Sequence, residues 1–284
     1  MSRIVYVNGA FVAEEDAKIS VFDRGFLFAD GVYEVTPVLR GKLVENAGHM
    51  KRLQRSLDEL KMASPTPVAE IPALMQDLVT RNAVDEGMVY LQVTRGAADR
   101  DFAFPKHPEP SLVMFTQSRP LIDTAPARNG ISVISAPDIR WGRRDIKTVQ
   151  LLAPSMMKQA AKDAGADDAW MVEDGFVTEG TSNNAYIVTK AGVIVTRQLS
   201  NAILHGITRA SVLRLAAEAQ MAVEERPFTI AEAQDAAEAF YTSASAFVTP
   251  VVKIDGVRLG DGKPGPVAKR LREIYLEMAL AAAE

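Results

Sequence analysis

The sequence contains no cysteine among its 284 residues. Disulfide bridges and metal sites built on thiolates are therefore excluded. Histidine is also scarce, and the three that occur, at positions 49, 107 and 205, lack the spacing of metal ligands. Neither the H-E-x-x-H pattern of zinc hydrolases nor the G-x-S-x-G pattern of serine hydrolases is present. We therefore expect neither metal chemistry nor a serine nucleophile.

Long apolar runs and a large excess of one charge are missing too. No apolar stretch approaches about 18 residues, and the first residues lack the apolar centre of a signal peptide. The net charge is -4, which gives no reason to expect nucleic acid or an anionic membrane as a partner. We expect a cytoplasmic protein.

The chain does contain enough apolar material for two hydrophobic cores, with 48% hydrophobic and 24% charged residues. Strand and helix patterns alternate in both halves, with more hairpin signals than a parallel doubly wound sheet would show. The prolines and small polar residues of 118–130 predict a linker. The sequence thus predicts a mixed α and β (α+β) fold with a smaller domain at residues 1–117 and a larger one at 131–284.

Local patterns indicate several of the individual elements. Asn8-Gly9 and Arg40-Gly41 each lie between two short β-rich runs and predict hairpins, since Asn-Gly supplies the positive φ angles of a type I′ turn. Apolar residues at helical spacing predict a helix around residues 50–60, on which Arg52 lies away from the apolar stripe. The segment 260–265 matches G-x-G-x-x-G, but only a terminal helix follows it, so we interpret it as a turn.

Residues 145–184 carry the clearest chemical signal. Lys147 has apolar or β-branched neighbours, and a lysine beside apolar surface can become a nucleophile toward aldehydes. Glu179 precedes a glycine and small polar residues, and such an acid can hold a proton on a pyridine nitrogen. Residues 206–208 open a predicted helix, whose N-terminus offers donors to a phosphate. A lysine, an acid and a phosphate cradle are the three requirements of a pyridoxal phosphate site.

In order and spacing these residues resemble the class IV aminotransferases, the pyridoxal phosphate enzymes of fold type IV. The most specific blocks are T-E-G-T-S-N-N at 178–184 and I-L-H-G-I-T-R at 203–209. The resemblance covers nearly the whole chain and is closest to the family's D-amino-acid aminotransferase branch. It implies a two-domain fold, pyridoxal 5′-phosphate as the cofactor, and a homodimer with its sites at the domain and subunit interfaces.

The resemblance also implies roles for particular residues. Lys147 corresponds to the lysine that forms the Schiff base with the cofactor and then moves the proton of the substrate's α-carbon. Glu179 corresponds to the acid that keeps the ring nitrogen protonated, and Arg52 to the phosphate arginine. The further cofactor contacts that it implies are Thr181, Ser182, Asn183, Leu204, Ile207, Thr208, Ser243 and Ala244.

Substrate binding is where the sequence departs from the D-amino-acid branch. Tyr33 and Arg100 match residues that hold the substrate's α-carboxylate, the arginine being lent by the partner subunit. The family usually has a histidine two residues after the arginine, and here that position is Phe102. Loss of one donor to a charged carboxylate costs about 1.5–3 kcal/mol. Another group then compensates, or the preferred substrate differs.

The expected activity is transfer of the amino group of a D-amino acid, such as D-alanine, to a 2-oxo acid such as 2-oxoglutarate. Alternatives with the same cofactor are a branched-chain L-amino-acid aminotransferase, an (R)-amine transaminase and an aminodeoxychorismate lyase. A protein that binds the cofactor without turnover is a fourth alternative. Lys147 together with Glu179 argues against that last one, and Tyr33 with Arg100 favours the D-amino-acid branch.

Overall fold

The structure is a computed structural model that describes residues 2–282. Met1, Ala283 and Glu284, which the predicted domains include, lie outside the described residues. The chain divides into two compact units, of which the first contains residues 2–120, 146–150 and 279–282 and the second contains 121–145 and 151–278. The division predicted from the sequence placed residues 146–150 and 279–282 in the larger domain instead. Residues 146–150 belong with the first unit because Thr148 forms a β-bridge with Val32.

The first unit is built on a six-stranded antiparallel sheet with the order β2-β1-β6-β5-β3-β4. Its strands are β1 (Ile4–Val7), β2 (Ala10–Ala13), β3 (Gly31–Leu39), β4 (Lys42–Leu43), β5 (Gly87–Thr94) and β6 (Ser111–Ser118). Three helices accompany the sheet. They are α1 (Arg24–Phe28), α2 (Asn46–Glu59) and α3 (Ile71–Arg81).

Helices α2 and α3 each bury one apolar face in the core of the first unit. The predicted stripe on α2 is confirmed, since Met50, Leu53 and Leu57 are all buried. Arg52 lies away from that stripe and is nevertheless buried. A buried cation requires a partner of opposite charge, and a strand of the sheet provides it.

The second unit is built on a nine-stranded mixed sheet with the order β12-β11-β10-β13-β14-β7-β8-β9, and β15 pairs with β14. Its strands are β7 (Ile131–Pro137), β8 (Asp168–Glu173), β9 (Phe176–Gly180), β10 (Asn184–Val188), β11 (Ile194–Thr196), β12 (Val223–Glu225), β13 (Glu238–Ser243), β14 (Phe247–Ile254) and β15 (Val257–Arg258). The helices are α4 (Ala125–Asn129), α5 (Leu152–Asp163), α6 (Ile207–Glu218), α7 (Ile230–Asp235) and α8 (Pro266–Ala281). Most strand pairs are antiparallel, which confirms the predicted mixed α and β class.

Tight two-residue turns join several neighbouring strands. Both predicted hairpins are confirmed, with positive φ at Asn8 and Gly9 and again at Arg40 and Gly41. Two positive φ angles in succession are the signature of the type I′ turn, whose twist matches that of the flanking strands. None of the helices within residues 2–282 is both long enough and apolar enough to cross a membrane.

Helix α8 begins against a carboxylate from the sheet. The side chain of Glu238 accepts hydrogen bonds from the backbone N–H groups of Val267 and Ala268, both at 3.0 Å. It thereby satisfies two of the donors that a helix leaves open in its first turn. Gly265 precedes these donors, and a Cβ at this position would overlap the side chain of Glu238.

We expect Glu238→Ala to destabilise the protein by about 1–2 kcal/mol, because it removes an N-terminal cap and a negative charge at the start of a helix. Urea unfolding monitored by circular dichroism measures the loss. Glu224→Ala is the matched control, since it removes an exposed carboxylate that pairs with Arg226. Equal losses in both variants would contradict a capping role for Glu238.

Candidate active site

Lys147 lies in a short extended segment that pairs with strand β3 of the first unit. The backbone N–H of Tyr33 donates to the carbonyl of Lys147 at 3.0 Å, and the N–H of Val149 donates to the carbonyl of Gly31 at 3.1 Å. The N–H of Lys147 faces the Ser56 hydroxyl of α2 at 3.4 Å. Bonds on both sides of the residue fix the direction of its side chain.

The amine of Lys147 lies over an aromatic ring. Its Nζ is 4.2 Å from the centroid of the Tyr33 ring. That ring stacks on Tyr90 with centroids 5.5 Å apart, and Tyr90 stacks on Phe115 at 4.7 Å. The three rings cross the adjacent strands β3, β5 and β6, so the sheet itself holds Tyr33 in place beside the lysine.

Arg52 is held by a buried carboxylate. Its Nε donates to Glu34 Oε1 at 2.8 Å and its Nη2 to Glu34 Oε2 at 2.7 Å. His49 Nδ1 lies 2.7 Å from the same Oε2. Burial alone would raise the pKa of Glu34, but the Arg52 guanidinium, aided by His49, lowers it to about 2. Glu34 is therefore a carboxylate at neutral pH.

Arg100 and Phe102 lie in the exposed loop after β5. The guanidinium carbon of Arg100 lies 5.4 Å from the Phe28 ring centroid and 5.6 Å from that of Phe102. The two rings meet edge to face at 5.5 Å. Buried Arg24 anchors the loop by donating to the carbonyl of Asp101 at 2.6 Å. The loop thus presents a cation beside a pair of aromatic rings that contact each other.

In the second unit, Glu179 is the buried penultimate residue of strand β9 and accepts hydrogen bonds from three residues. Arg140 Nη1 donates to Oε1 at 2.5 Å, and Asn184 Nδ2 donates to Oε2 at 2.9 Å. The backbone N–H of Leu204 lies 3.1–3.2 Å from both oxygens. The structure therefore brings together two predicted site residues, Glu179 and Leu204, and adds Arg140 and Asn184.

Arg140 bridges Glu179 to a second carboxylate. Its Nε and Nη2 donate to the two oxygens of Asp138 at 2.9 and 2.7 Å. Burial raises the pKa of Glu179, and Arg140 opposes that rise. Burial acts on Asp138 in the same direction, but Arg140 and the Thr178 hydroxyl outweigh it, so the pKa of Asp138 is lowered. Arg140 thus bonds to two buried carboxylates, and Arg144 Nη1 lies 3.6 Å from Asp138 as a second cation.

Helix α6 begins at Ile207 with Gly206 as its N-cap. The glycine has no side chain to offer its donors, and a Cβ there would overlap Asn184 Oδ1. Thr208 is buried, and within the described part of the chain its Oγ1 has no hydrogen-bond partner. An unpaired buried hydroxyl at a helix N-terminus fits an oxygen-rich anion as its partner.

The other predicted cofactor contacts also belong to the second unit. Thr181 Oγ1 and Asn183 Nδ2 both donate to Asp168, at 2.6 and 2.8 Å, and Ser182 between them is exposed. Asp168 therefore orders the turn after Glu179. Ser243 is the last residue of strand β13, and Ala244 follows it.

Several residues that shape these groups were not predicted from the sequence. They are Arg24, Glu34, His49, Asp138, Arg140 and Asn184. Asn184 belongs to the recognised T-E-G-T-S-N-N block, which could have indicated it. Arg140 lies 39 residues before its partner Glu179, and nothing in the local sequence marks the pair. The spacing of the histidines argues against a metal role for His49 and indicates no other.

One family model matches most of the chain. The model of the amino-transferase class IV family covers residues 31–254, well over half of the sequence. The chain belongs to the class IV aminotransferases. The predicted resemblance is confirmed.

Individual relatives of this aminotransferase differ in the activity for which they are named. A D-alanine aminotransferase of Staphylococcus aureus (strain MSSA476) is 39% identical over 272 residues, which is 95% of each chain. Among solved structures, a T.th. branched-chain amino acid aminotransferase with pyridoxamine 5′-phosphate has a TM-score of 0.91 at 28% identity, covering 100% of this chain and 96% of that one. The Escherichia coli branched-chain enzyme has a TM-score of 0.92 at 21% identity, covering 100% and 97%. This last likeness confirms the fold.

Class IV aminotransferases use pyridoxal 5′-phosphate, and the residues of this chain fit that group. Thr208 offers an unpaired buried hydroxyl at the start of α6 for the phosphate. Glu179 offers a buried carboxylate for the ring nitrogen, and Lys147 offers the amine. When bound, the cofactor supplies an aldehyde that bonds covalently to amines and a ring that withdraws electrons.

We expect Arg140→Leu to destabilise the protein by about 3 kcal/mol near neutral pH, because it leaves two buried carboxylates without their shared cation. Without Arg140 the pKa of both carboxyl groups rises in the folded state. A raised folded pKa favours folding below the unfolded pKa and loses that contribution as the pH increases. The difference from the wild type should therefore be larger at neutral pH than near about pH 4.5.

Urea unfolding across that pH range measures the effect. Arg226→Leu is the control, since Arg226 pairs with the surface carboxylates Glu224 and Glu232. Exposed pairs contribute little, so this variant should lose less than about 1 kcal/mol at every pH. A loss in Arg140→Leu that did not change with pH would contradict the assignment.

Proposed function

We propose that this class IV aminotransferase transfers the amino group of a D-amino acid such as D-alanine to a 2-oxo acid such as 2-oxoglutarate. The observation that carries the proposal is the 39% identity to D-alanine aminotransferases over 95% of both chains. The branched-chain enzymes share the fold at 21–28% identity, and they make the branched-chain L-amino-acid activity the second candidate. Tyr33 and Arg100, which match the carboxylate-binding residues of the D-amino-acid branch, favour the first.

In this proposal Lys147 would hold the cofactor through Nζ, and the amine, released when the substrate's amino group takes its place, would carry the proton away from the substrate's α-carbon. The ring of Tyr33 beside Nζ keeps water from one side of the amine. Glu179 holds a proton on the ring nitrogen, for which it must stay negatively charged. Arg140 supports that charge through its direct bond to the carboxylate.

The phosphate is bound, in this proposal, by the first turn of α6 and by Arg52. The backbone N–H groups of Ile207 and Thr208 and the Thr208 hydroxyl donate to its oxygens, and the helix dipole favours the negative charge. Ser243 and Ala244 give further contacts. The residues that surround the ring are Thr181, Ser182, Asn183 and Leu204.

We further propose that the protein is a cytoplasmic homodimer in which Arg100 serves the site of the partner subunit. Arg100 is exposed on its own subunit, as a residue that acts on a second copy must be. Phe28 and Phe102 pack against each other next to its guanidinium and present apolar surface beside it. This arrangement offers the arginine to a carboxylate and an apolar surface next to it to a substrate side chain.

We expect the purified enzyme to convert D-alanine with 2-oxoglutarate faster than L-leucine with the same acceptor. Absorbance changes of the cofactor in half-reactions with D-alanine, D-glutamate, L-leucine and (R)-1-phenylethylamine measure the preference. Lys147→Ala should abolish all four reactions, because it removes the proton-transferring amine. Lys190→Ala, which alters an exposed lysine paired with Asp235, is the control. Faster reaction of L-leucine would overturn the proposed substrate class and leave the cofactor assignments intact.

We expect Arg100→Ala to raise the KM for D-alanine by about tenfold or more, because a charged hydrogen bond to the carboxylate is lost. It should leave the reaction of (R)-1-phenylethylamine, which has no carboxylate, nearly unchanged. Arg81→Ala is the matched control, since Arg81 is also an exposed arginine stacked on an aromatic ring, that of Phe11. A KM for D-alanine that rises equally in both variants would contradict a carboxylate-binding role for Arg100.

Mixing two inactive or weakened subunits tests whether Arg100 acts across the dimer. A mixed dimer of one Lys147→Ala subunit and one Arg100→Ala subunit contains one complete site if the arginine comes from the partner. Such a mixture should regain up to about one quarter of the wild-type activity when subunits pair at random. No recovery in a mixture whose subunits demonstrably exchange would place Arg100 in the site of its own subunit.

A further inference from the structure

Glu34 and His49 have no role in the function proposed above, although they are among the most deeply buried polar residues of the first unit. Glu34 is 0% exposed on strand β3, and His49 is 1% exposed on helix α2. Burial of a carboxylate is costly unless partners compensate its charge. The burial of this carboxylate beside Arg52 therefore needs an explanation beyond packing.

The contact between Glu34 and Arg52 fixes the orientation of the guanidinium. Both Nε and Nη2 donate to the carboxylate, one to each oxygen, at 2.8 and 2.7 Å. Two parallel hydrogen bonds determine the plane of the group as well as its position. They consequently fix the orientation of the whole guanidinium.

His49 adds a third hydrogen bond to the carboxylate. An ionised carboxylate only accepts, so the proton of the 2.7 Å contact must be on His49 Nδ1. Burial lowers the pKa of His49 and, together with the positive charges of Arg52 and Lys147, outweighs the opposing effect of the Glu34 carboxylate. The imidazole is therefore neutral, with its proton on Nδ1 and none on Nε2. It strengthens the hold on Glu34 without adding a second cation.

We propose that Glu34 and His49 are positioning residues for the cofactor's phosphate group. Glu34 sets the guanidinium of Arg52 in the orientation that binds the phosphate, and His49 fixes Glu34. The inference rests on the phosphate role proposed for Arg52. It assigns a purpose to two buried residues that the proposed function does not use.

Charge and geometry make opposite predictions for Glu34. As a negative charge it would repel the phosphate, so its removal would tighten cofactor binding. As the group that orients Arg52 it would promote binding, so its removal would weaken it. Glu34→Gln removes the charge and keeps the shape, but its amide N–H₂ would face the donors of Arg52. A buried guanidinium without its acceptor turns toward another one, so we expect the loss of geometry to dominate.

The experiment measures the dissociation constant of pyridoxal 5′-phosphate from the holoenzyme by dialysis and cofactor absorbance. Glu34→Gln and Arg52→Leu should each raise it by about tenfold or more, as expected for a charged hydrogen bond. Thr36→Val is the matched control. Thr36 is buried on the same strand and its hydroxyl donates to Asn46 of α2 at 3.1 Å, so the change removes a bond between β3 and α2 without touching Arg52. Its dissociation constant should change less than about twofold.

Two variants of His49 test the donor directly. In His49→Asn the side-chain N–H₂ takes the place of Nδ1–H, whereas His49→Leu keeps the bulk and removes the donor. We expect the asparagine variant to retain the cofactor like the wild type and the leucine variant to lose it. Phosphorus NMR of the bound cofactor gives a second readout. Its resonance should shift in Glu34→Gln and His49→Leu and stay in place in Thr36→Val and His49→Asn.

Each outcome decides one part of the inference. Unchanged or tighter binding in Glu34→Gln, beside a loss in Arg52→Leu, would overturn it. Full retention in Arg52→Leu would instead refute the proposed phosphate role of Arg52. An equal loss of cofactor affinity in Thr36→Val would attribute the effect to general packing. Equal cofactor retention in the two His49 variants would exclude the role of His49 as a hydrogen-bond donor to Glu34. If Glu34→Gln does not fold, the His49 pair carries the test. Because the readout is cofactor retention, a different substrate preference leaves these results unaffected.

Discussion

The backbone pairing of residues 147–149 with strand β3 is the constraint that sets the positions of Lys147 and Tyr33. It ties Lys147 to Tyr33 through one hydrogen bond of 3.0 Å and sets the amine over the tyrosine ring. Consecutive side chains of a strand face opposite sides of the sheet, so Tyr33 and the adjacent Glu34 contact different neighbours. A shift of β3 by one residue in its register would exchange the sides that these two side chains face. The chemistry of this unit therefore rests on strand register, which the long pairing of β3 with β5 secures.

Two buried glutamates show how the same residue type can be set to different electrostatic states. Glu34 receives two bonds from Arg52 and a third from His49, and its pKa falls. At Glu179 burial outweighs the effect of Arg140, so its pKa rises. Asp138 shares Arg140 with Glu179 and nevertheless has a lowered pKa, because two nitrogens of Arg140 and the Thr178 hydroxyl outweigh burial there. The balance between burial and nearby donors therefore decides the direction at each carboxylate.

Local features were predictable from the sequence and long-range side-chain pairs were not. The turns at Asn8-Gly9 and Arg40-Gly41 follow from the conformational preferences of two residues. The family followed from two blocks of seven residues each. Arg140 and Glu179 meet across 39 positions, and Glu34 and His49 meet across 15, so no periodicity or short motif could have joined them. Residues 146–150 belong with the first unit for the same reason, since a bridge to Val32 leaves no trace in composition.

Gly206 limits which parts of this enzyme can be redesigned. The space beside it is filled by the amide of Asn184, which also donates to Glu179 and to the carbonyl of Leu204. Any side chain at position 206 would displace that amide, so a substitution at the N-cap of α6 would also disturb Glu179. A library meant to widen substrate range should therefore keep this glycine. The exposed loop after β5 is held by groups of the first unit instead, and variation can begin there.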